Sequence, residues 1–203
     1  MNTQHSLLLL LSCLLLCSCS TIKKTDSWHD DTHMVMPIKS AVLIGVASNS
    51  TSRRIYEDSL VEAFSKVGVS TIPSYSLIDD PKKVNKESLP KALEGKGVDV
   101  YVVTKLLKEK DVTRYHPPTP TTNSYIWGHY GYVSTYAYNP GYYSSHTKYY
   151  LETTLFDGKT GKLIWSMNTE TSKPESAKEG SDGLNELIIE ELAKLGYVTL
   201  PQE

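Results

Sequence analysis

Two short motifs in the second half of the chain contain residue types that carry out acyl transfer. Ser145 and Lys148 match a Ser-x-x-Lys pattern, and residues 159–161 read Lys-Thr-Gly, the pair that a penicillin-binding enzyme needs. The two motifs lie too close together for that site, no Ser-x-Asn sequence separates them, and Lys-Thr-Gly falls where a hairpin turn is expected. No Gly-x-Ser-x-Gly elbow is present either. We therefore expect no catalytic residues of these classes.

Two histidines have the spacing of metal ligands. His29 and His33 would converge on one ion if the intervening residues were helical. They lie in a polar segment that we expect to be a tether, where no surrounding side chains could orient them. The sequence predicts adventitious divalent binding there at most, and no metal or other cofactor for the protein.

Adjacent carboxylates at residues 57–58 and 79–80 need not face each other, and we interpret them as solvated helix and loop charges.

Residues 45–54 join a strand to a helix and include Arg53 and Arg54, so an anion could bind at the helix N-terminus. The segment matches neither the dinucleotide nor the P-loop pattern. We expect it to cap the helix, with both arginines on the solvent side.

All three cysteines lie in the first nineteen residues, within or just after an apolar run of signal-peptide length. Residues 16–19, Leu-Cys-Ser-Cys, resemble the processing box of bacterial lipoproteins. The resemblance implies that Cys19 becomes the mature N-terminus and carries acyl chains such as palmitate. Each buried methylene contributes about 0.8 kcal/mol, so several chains would anchor the protein stably. By the same resemblance, Ser20 favours the outer membrane. The alternative to lipoprotein processing is a plain secretory signal or an uncleaved anchor.

Length and charge restrict the function further. The 203 residues include 21 Lys and Arg and 23 Asp and Glu, for a net charge of −2 without a basic field, which disfavours nucleic-acid binding. We expect a signal peptide at 1–18, a lipidated flexible tether at 19–39 and one domain at 40–203. Cys19 is the one cysteine left after removal of the signal peptide, and its acylation leaves no free thiol for a disulfide, a nucleophile or a zinc site.

Hydrophobic periodicity predicts the elements of this domain. The apolar run at 41–46 indicates a strand covered on both faces, and helical spacing follows at 56–67. Further strands are predicted at 69–75 and 98–107, helices at 88–93 and 184–195, and a hairpin at 149–156 and 163–169. The fold class is α/β with an α+β tendency: a mixed sheet of about five strands in the order β-α-β-α-β-β(hairpin)-β-α, with helices packed against it.

A tyrosine-rich insertion occupies residues 113–147. It is either a partly flexible loop whose rings fold over the sheet edge or an adhesive surface, including a flat β-ribbon with one aromatic face. Tyrosine suits such a surface because it buries a large area at low entropic cost and retains a hydroxyl group. The candidate partner-binding residues are Tyr125, Trp127, Tyr130, Tyr132, Tyr136, Tyr138, Tyr142 and Tyr143.

Four segments together resemble an uncharacterised family of bacterial envelope lipoproteins with a Tyr/Gly/Pro-rich insertion. They are residues 53–58 (Arg-Arg-Ile-Tyr-Glu-Asp), 71–75 (Thr-Ile-Pro-Ser-Tyr), 102–105 (Val-Val-Thr-Lys) and 155–165, which include Asp-Gly-Lys-Thr-Gly. The element order is also distantly similar to the TolB amino-terminal domain, the curli secretion lipoprotein and the lipoprotein activator of penicillin-binding proteins. That resemblance implies partner binding in the periplasm.

These observations lead to one expected function and two alternatives. We expect a non-enzymatic, lipid-anchored outer-membrane lipoprotein that faces the periplasm and binds an envelope protein or peptidoglycan through the insertion or the sheet edge beside it. The first alternative is a self-assembling structural lipoprotein, a homo-oligomer that buries the same aromatic rings against copies of itself. The second is a cell-wall hydrolase.

Overall fold

Strands and helices alternate along the first half of the chain, and a long hairpin followed by a helix forms the second half. The computed structural model describes residues 22–34, 36–47, 49–85, 87–117, 119–122, 136–139, 141–172 and 176–201. The strands are β1 (Ile22–His29), β2 (Ser40–Val46), β3 (Ser70–Pro73), β4 (Val100–His116), β5 (Thr119–Thr122), β6 (Tyr136–Asn139), β7 (Tyr142–Asp157) and β8 (Leu163–Ser172). The helices are α1 (Ser50–Lys66), α2 (Ser88–Ala92) and α3 (Ala177–Lys194), with 3-10 turns at Ser74–Ser76 and Pro81–Lys83.

Six strands form one mixed sheet in the order β1-β8-β7-β4-β2-β3. Strand β2 pairs in parallel with β3 and β4, and the other neighbours in this sheet are antiparallel. Strands β5 and β6 pair with each other as a separate two-stranded ribbon. The mixed α/β class is confirmed, and the sheet has six strands rather than about five because β1 adds an edge.

Strand β2 is buried on both faces, as its apolar run predicts. Ala41 and Leu43 belong to the core beneath α1 and α3, whereas Val42 and Ile44 belong to a second core with Leu93, near α2. Burial of a Val, Leu or Ile side chain contributes about 1.5–3 kcal/mol. Strand β2 therefore links the two cores.

Helices α1 and α3 pack side by side on one face of the sheet. Asn49 caps α1 by accepting a hydrogen bond from the Ser52 N–H, and Ser176 caps α3 in the same way through Glu179 N–H. Between the helices, the Asn185 amide donates to Ser59 Oγ at 2.8 Å. Strands β2 and β8 run in the same direction. Because α1 follows β2 and α3 follows β8, both helices begin at the same end of the sheet.

The predicted tether is wrong for residues 22–29, which form strand β1 at the edge of the sheet. This strand pairs antiparallel with β8 from Ile22↔Thr171 to His29↔Trp165. It is also held to α3, because Lys24 Nζ donates to Glu191 Oε2 at 2.5 Å. Its residues are mostly exposed, so backbone hydrogen bonds rather than an apolar stripe fix it, and the hydrophobic pattern gave no signal.

The flanks of the predicted insertion are strands as well. Strand β4 continues to His116 and β7 begins at Tyr142, so much of 113–147 that was expected as a loop extends the β4–β7 hairpin. The ribbon of β5 and β6 confirms part of the alternative expectation of a β-ribbon. The described side chains of this extension are largely exposed, which explains why hydrophobic periodicity does not detect it.

Candidate functional site

The β4–β7 hairpin projects beyond the rest of the sheet. We call residues 108–116 and 142–150 the hairpin stem. The register aligns Ile22, Thr171, Tyr149 and Glu109 across β1, β8, β7 and β4. Seven further β4–β7 pairs, from Lys110↔Lys148 to His116↔Tyr142, continue past this row. At about 3.4 Å per residue they extend the stem by about 24 Å.

One face of the stem is basic. Because opposite residues in an antiparallel pair share a face, and residues two apart do also, one face carries Lys108, Lys110, Arg114 and Lys148. Lys148 donates to Glu170 of β8, and this hydrogen bond lowers the pKa of the Glu170 carboxyl, which keeps the pair ionised. Lys108 Nζ lies 4.4 Å from the centre of the Tyr150 ring.

The positive charge on this face is largely uncompensated. Within the described part of the chain, no carboxylate forms an ion pair with Lys108, Lys110 or Arg114, and all three are exposed. Three cations on one hydrogen-bonded ladder, without ion-pair partners among the described residues, form a surface that attracts carboxylates or phosphates. The face can therefore bind an acidic partner.

The opposite face of the stem is acidic and hydroxylated. Glu109 and Asp111 alternate with the basic residues along β4, and Asp111 accepts a hydrogen bond from Thr147 Oγ1 at 2.8 Å. Thr113 and Ser145 lie opposite each other further along the same face. The two faces of the stem thus differ in charge sign.

The far end of the stem is aromatic on both faces. Tyr115 and Tyr143 pack on the acidic side with ring centroids 4.8 Å apart, and His116 stacks on Tyr142 on the basic side at 4.6 Å. The exposed fractions of Tyr115, Tyr142 and Tyr143 are 51%, 57% and 73%. We call Tyr115, His116, Tyr142 and Tyr143 the aromatic end. Rings this exposed are available to a partner or a surface.

A groove of about 560 Å³ lies where the stem leaves the sheet. Its wall includes Val46 and Leu106, which are exposed, together with Glu109 and residues from the first turns of α1 and α3. Tyr56 from α1 closes its floor by donating to Thr104 Oγ1 at 2.6 Å, and burial raises the pKa of the Tyr56 hydroxyl. This phenol stays protonated and packs as part of the wall.

The expectation that Arg53 and Glu57 are solvated is wrong. Both are buried, and Arg53 Nε donates to Glu57 Oε1 at 3.0 Å. The other guanidinium nitrogens donate to the Ile78 carbonyl at 2.8 Å and to Ser74 Oγ at 2.6 Å. Position in the helix decides this: Arg53 points toward the 3-10 turn after β3, whereas its neighbour Arg54 is exposed and pairs with Asp79.

Both carboxylate oxygens of Glu57 also accept hydrogen bonds from the protein. Its Oε1 atom accepts from the Gly45 N–H at 2.9 Å and from Ser74 Oγ at 2.6 Å, and Oε2 accepts from the Tyr75 N–H at 2.9 Å. A buried ion pair whose polar atoms all have protein partners fixes the surrounding chain segments. We therefore treat the network as a structural link between β2, α1 and the turn after β3.

The other chemical motifs are placed apart from one another. Ser145 and Lys148 lie on opposite faces of β7, and Lys-Thr-Gly is the β7–β8 turn, where Thr160 donates to Asp157 Oδ1. His29 lies in β1 and its Nε2 atom is 2.8 Å from an Asp31 carboxylate oxygen. Among the described residues, no three His, Cys, Asp or Glu side chains converge as metal ligands.

Several predicted site residues fall outside the described residues, so the structure does not test them. These are Cys19, Tyr125, Trp127, Tyr130 and Tyr132. Tyr136 and Tyr138 lie in strand β6, and Tyr142 and Tyr143 come together at the aromatic end.

Sequence reasoning missed the basic face, although β4 carries a signal for it. Residues 108–111 read Lys-Glu-Lys-Asp, a charge alternation with a period of two. Because strand side chains alternate between faces, such a run separates the two signs onto opposite sides. Hydrophobic periodicity does not detect this pattern, because none of the four residues is apolar.

Comparisons with known proteins give likeness of structure alone. No family model and no curated protein matches the chain. A PelC variant dodecamer from Paraburkholderia phytofirmans is 10% identical, with a TM-score of 0.40, over 85% of this chain and 98% of that one. Lipoprotein GNA1162 from Neisseria meningitidis is 14% identical, with a TM-score of 0.39, over 77% of this chain and 96% of that one. At these values we base no conclusion about function on the likeness.

The proposed resemblance to a lipoprotein family therefore stays a prediction, although a lipoprotein is among the similar structures. None of the helices in the described residues combines the length and the hydropathy required to cross a bilayer.

Proposed function

We propose that this chain is an envelope lipoprotein anchored through an acylated Cys19, and that it binds an acidic envelope component through the basic face of the hairpin stem. The role is non-enzymatic: the domain holds a partner near the membrane. One observation carries the binding proposal, namely the three exposed cations on the projecting ladder, for which the described residues provide no ion-pair partner.

The continuous strand pairing of the stem supports this role. Its two strands are paired continuously from Lys108↔Tyr150 to His116↔Tyr142, so Lys108, Lys110 and Arg114 are held at fixed spacing before a partner arrives. A preorganised surface loses less conformational entropy on binding than a flexible loop does. Acidic protein surfaces and the carboxylates of peptidoglycan peptides both have the charge that this surface requires.

The test is co-purification of the tagged, lipidated full-length protein after gentle crosslinking. We expect one dominant acidic component to be recovered, and expect the triple variant Lys108→Glu, Lys110→Glu, Arg114→Glu to lose it by about tenfold or more, because charge reversal repels the partner. The matched control Lys91→Glu, Lys96→Glu, Lys159→Glu changes net charge equally at exposed sites elsewhere. A component that the stem variant retains as well as the control does would contradict the proposal.

A second candidate function is self-assembly, and the opposite charges of the two stem faces favour it. The basic face of one copy is complementary to Glu109 and Asp111 on another, and such a head-to-tail contact produces rings or filaments. In the same experiment this function predicts recovery of the protein alone at a multimeric mass. Dissociation of that species by the stem variant would identify the contact.

A further inference from the structure

The position of strand β1 determines which end of the domain faces the membrane, if the proposed anchor at Cys19 is correct. Cys19 lies three positions before Ile22, the first residue of β1. Three residues span at most about 11 Å when fully extended. The acylated residue therefore remains close to the Ile22 end of the sheet.

The hairpin stem projects from this same end. Ile22 lies in the row that contains Tyr149 and Glu109, and the stem continues for seven pairs beyond that row. Strand β1 runs from Ile22 at this end to His29 at the other, so its N-terminal end points in the direction in which the stem extends. The anchor reaches about 11 Å, whereas the stem extends about 24 Å from the same row of residues. The bilayer that holds the acyl chains therefore lies closer to Ile22 than the far end of the stem does, and the stem must meet it.

The side chains at the far end of the stem suit a bilayer surface. Tyr115, Tyr142 and Tyr143 are more than half exposed, and Arg114 lies beside them on β4. Tyrosine is enriched at membrane–water interfaces because its ring is apolar and its hydroxyl stays hydrated. Long basic side chains in the same zone can extend their charged groups to the lipid headgroups.

We propose that the aromatic end of the hairpin stem is a second membrane contact, inserted at the headgroup level of the bilayer that holds the acyl chains of Cys19. The inference rests on the proposed lipid anchor and adds an orientation to it. The acyl chains and the tyrosine rings then hold the domain at two points, and the stem is inclined to the bilayer because its length of about 24 Å exceeds the reach of the anchor. The β7–β8 turn lies at the distal end of the sheet.

The experiment uses the absence of cysteines after position 19. Single variants Tyr143→Cys and Lys159→Cys of the full lipidated chain are labelled with an environment-sensitive fluorophore and reconstituted into vesicles of phosphatidylethanolamine and phosphatidylglycerol. Lys159 is the matched control because it is exposed in the β7–β8 turn. A third label at Thr113, on the stem, shows whether replacement of a tyrosine itself alters the result.

We expect headgroup-attached spin labels to quench the position-143 label strongly, with the position-113 label affected less and the position-159 label not affected. Aqueous iodide should quench them in the reverse order. If the labels at 143 and 113 respond as the label at 159 does, the membrane contact is wrong. Mass spectrometry of the N-terminal peptide separates this result from failure of the anchor: a peptide without acyl chains would contradict the proposed function and this inference with it.

Discussion

Arg53 and Arg54 show how strongly one helical position changes the role of the same residue type. The Arg53 side chain is 1% exposed and that of Arg54 is 47% exposed, although the residues are adjacent in α1. Arg53 joins a fully hydrogen-bonded network, and Arg54 lies over the Tyr75 ring and pairs with Asp79. The sequence Arg-Arg could not reveal this difference, because it depends on where the turn after β3 packs.

Arg53→Ala should destabilise the domain much more than Arg54→Ala does. Loss of Arg53 leaves the Glu57 carboxylate buried without its cation, which costs about 3–5 kcal/mol. Loss of Arg54 removes an exposed pair worth less than about 1 kcal/mol. Urea denaturation of both variants measures the free energies of unfolding. Equal small losses would show that the Arg53–Glu57 network is not buried as described.

At the scale of elements, strand β1 changes the meaning of the N-terminal segment. It is fixed to β8 by backbone pairing and to α3 through Glu191, which accepts from Lys24 at 2.5 Å and from Lys194 at 2.7 Å. Burial alone raises the pKa of Glu191, but these two hydrogen bonds outweigh it and hold the pKa below its usual value. The ionised Glu191 carboxylate therefore holds the edge strand β1 to α3; we call this contact the Glu191 clamp.

Glu191→Gln should weaken this clamp and reduce the acid sensitivity of the domain. A carboxylate whose pKa is lower in the folded state stabilises folding above its unfolded pKa, about 4.3, and that contribution disappears as the pH falls through the folded pKa. We expect the variant to lose about 1–3 kcal/mol at neutral pH, and to lose less than the natural protein on further acidification.

The measurement is the free energy of unfolding in urea at a series of pH values below about 6. Glu190→Gln is the matched control, because Glu190 is an exposed neighbour on the same helix. If the Glu191 variant and the natural protein lose stability in parallel on acidification, Glu191 is not the clamp.

The sequence predicts those elements whose side chains are buried in a regular pattern. Strand β2 and helices α1 and α3 have such patterns, and their predicted positions match the structure within a few residues, except that α1 and α3 begin earlier, at Ser50 and Ala177. Strand β1 and the stem have mostly exposed side chains, so pairing partners distant in sequence determine them. The candidate site was predicted only in its tyrosines, because the alternating charges at 108–111 have no hydrophobic periodicity.

In the molecule as a whole, the two ends of the sheet differ in what they carry. The N-terminus of β1 and the hairpin stem lie at one end, and the β7–β8 turn lies at the other. An acylated Cys19 would place the first end at the bilayer. The basic face of the stem then lies within about 24 Å of the membrane, where it can reach membrane-bound or wall-associated partners.

The central claim is that the basic face of the stem binds an acidic envelope component, and site-specific photocrosslinking in living cells tests it most directly. A photoreactive amino acid replaces Lys110 on that face or, as the matched control, Lys159 in the β7–β8 turn. We expect one dominant adduct from position 110 and none of that mass from position 159. No adduct from position 110, or the same adducts from both positions, would contradict the claim, and an adduct between two copies of the chain would favour self-assembly instead.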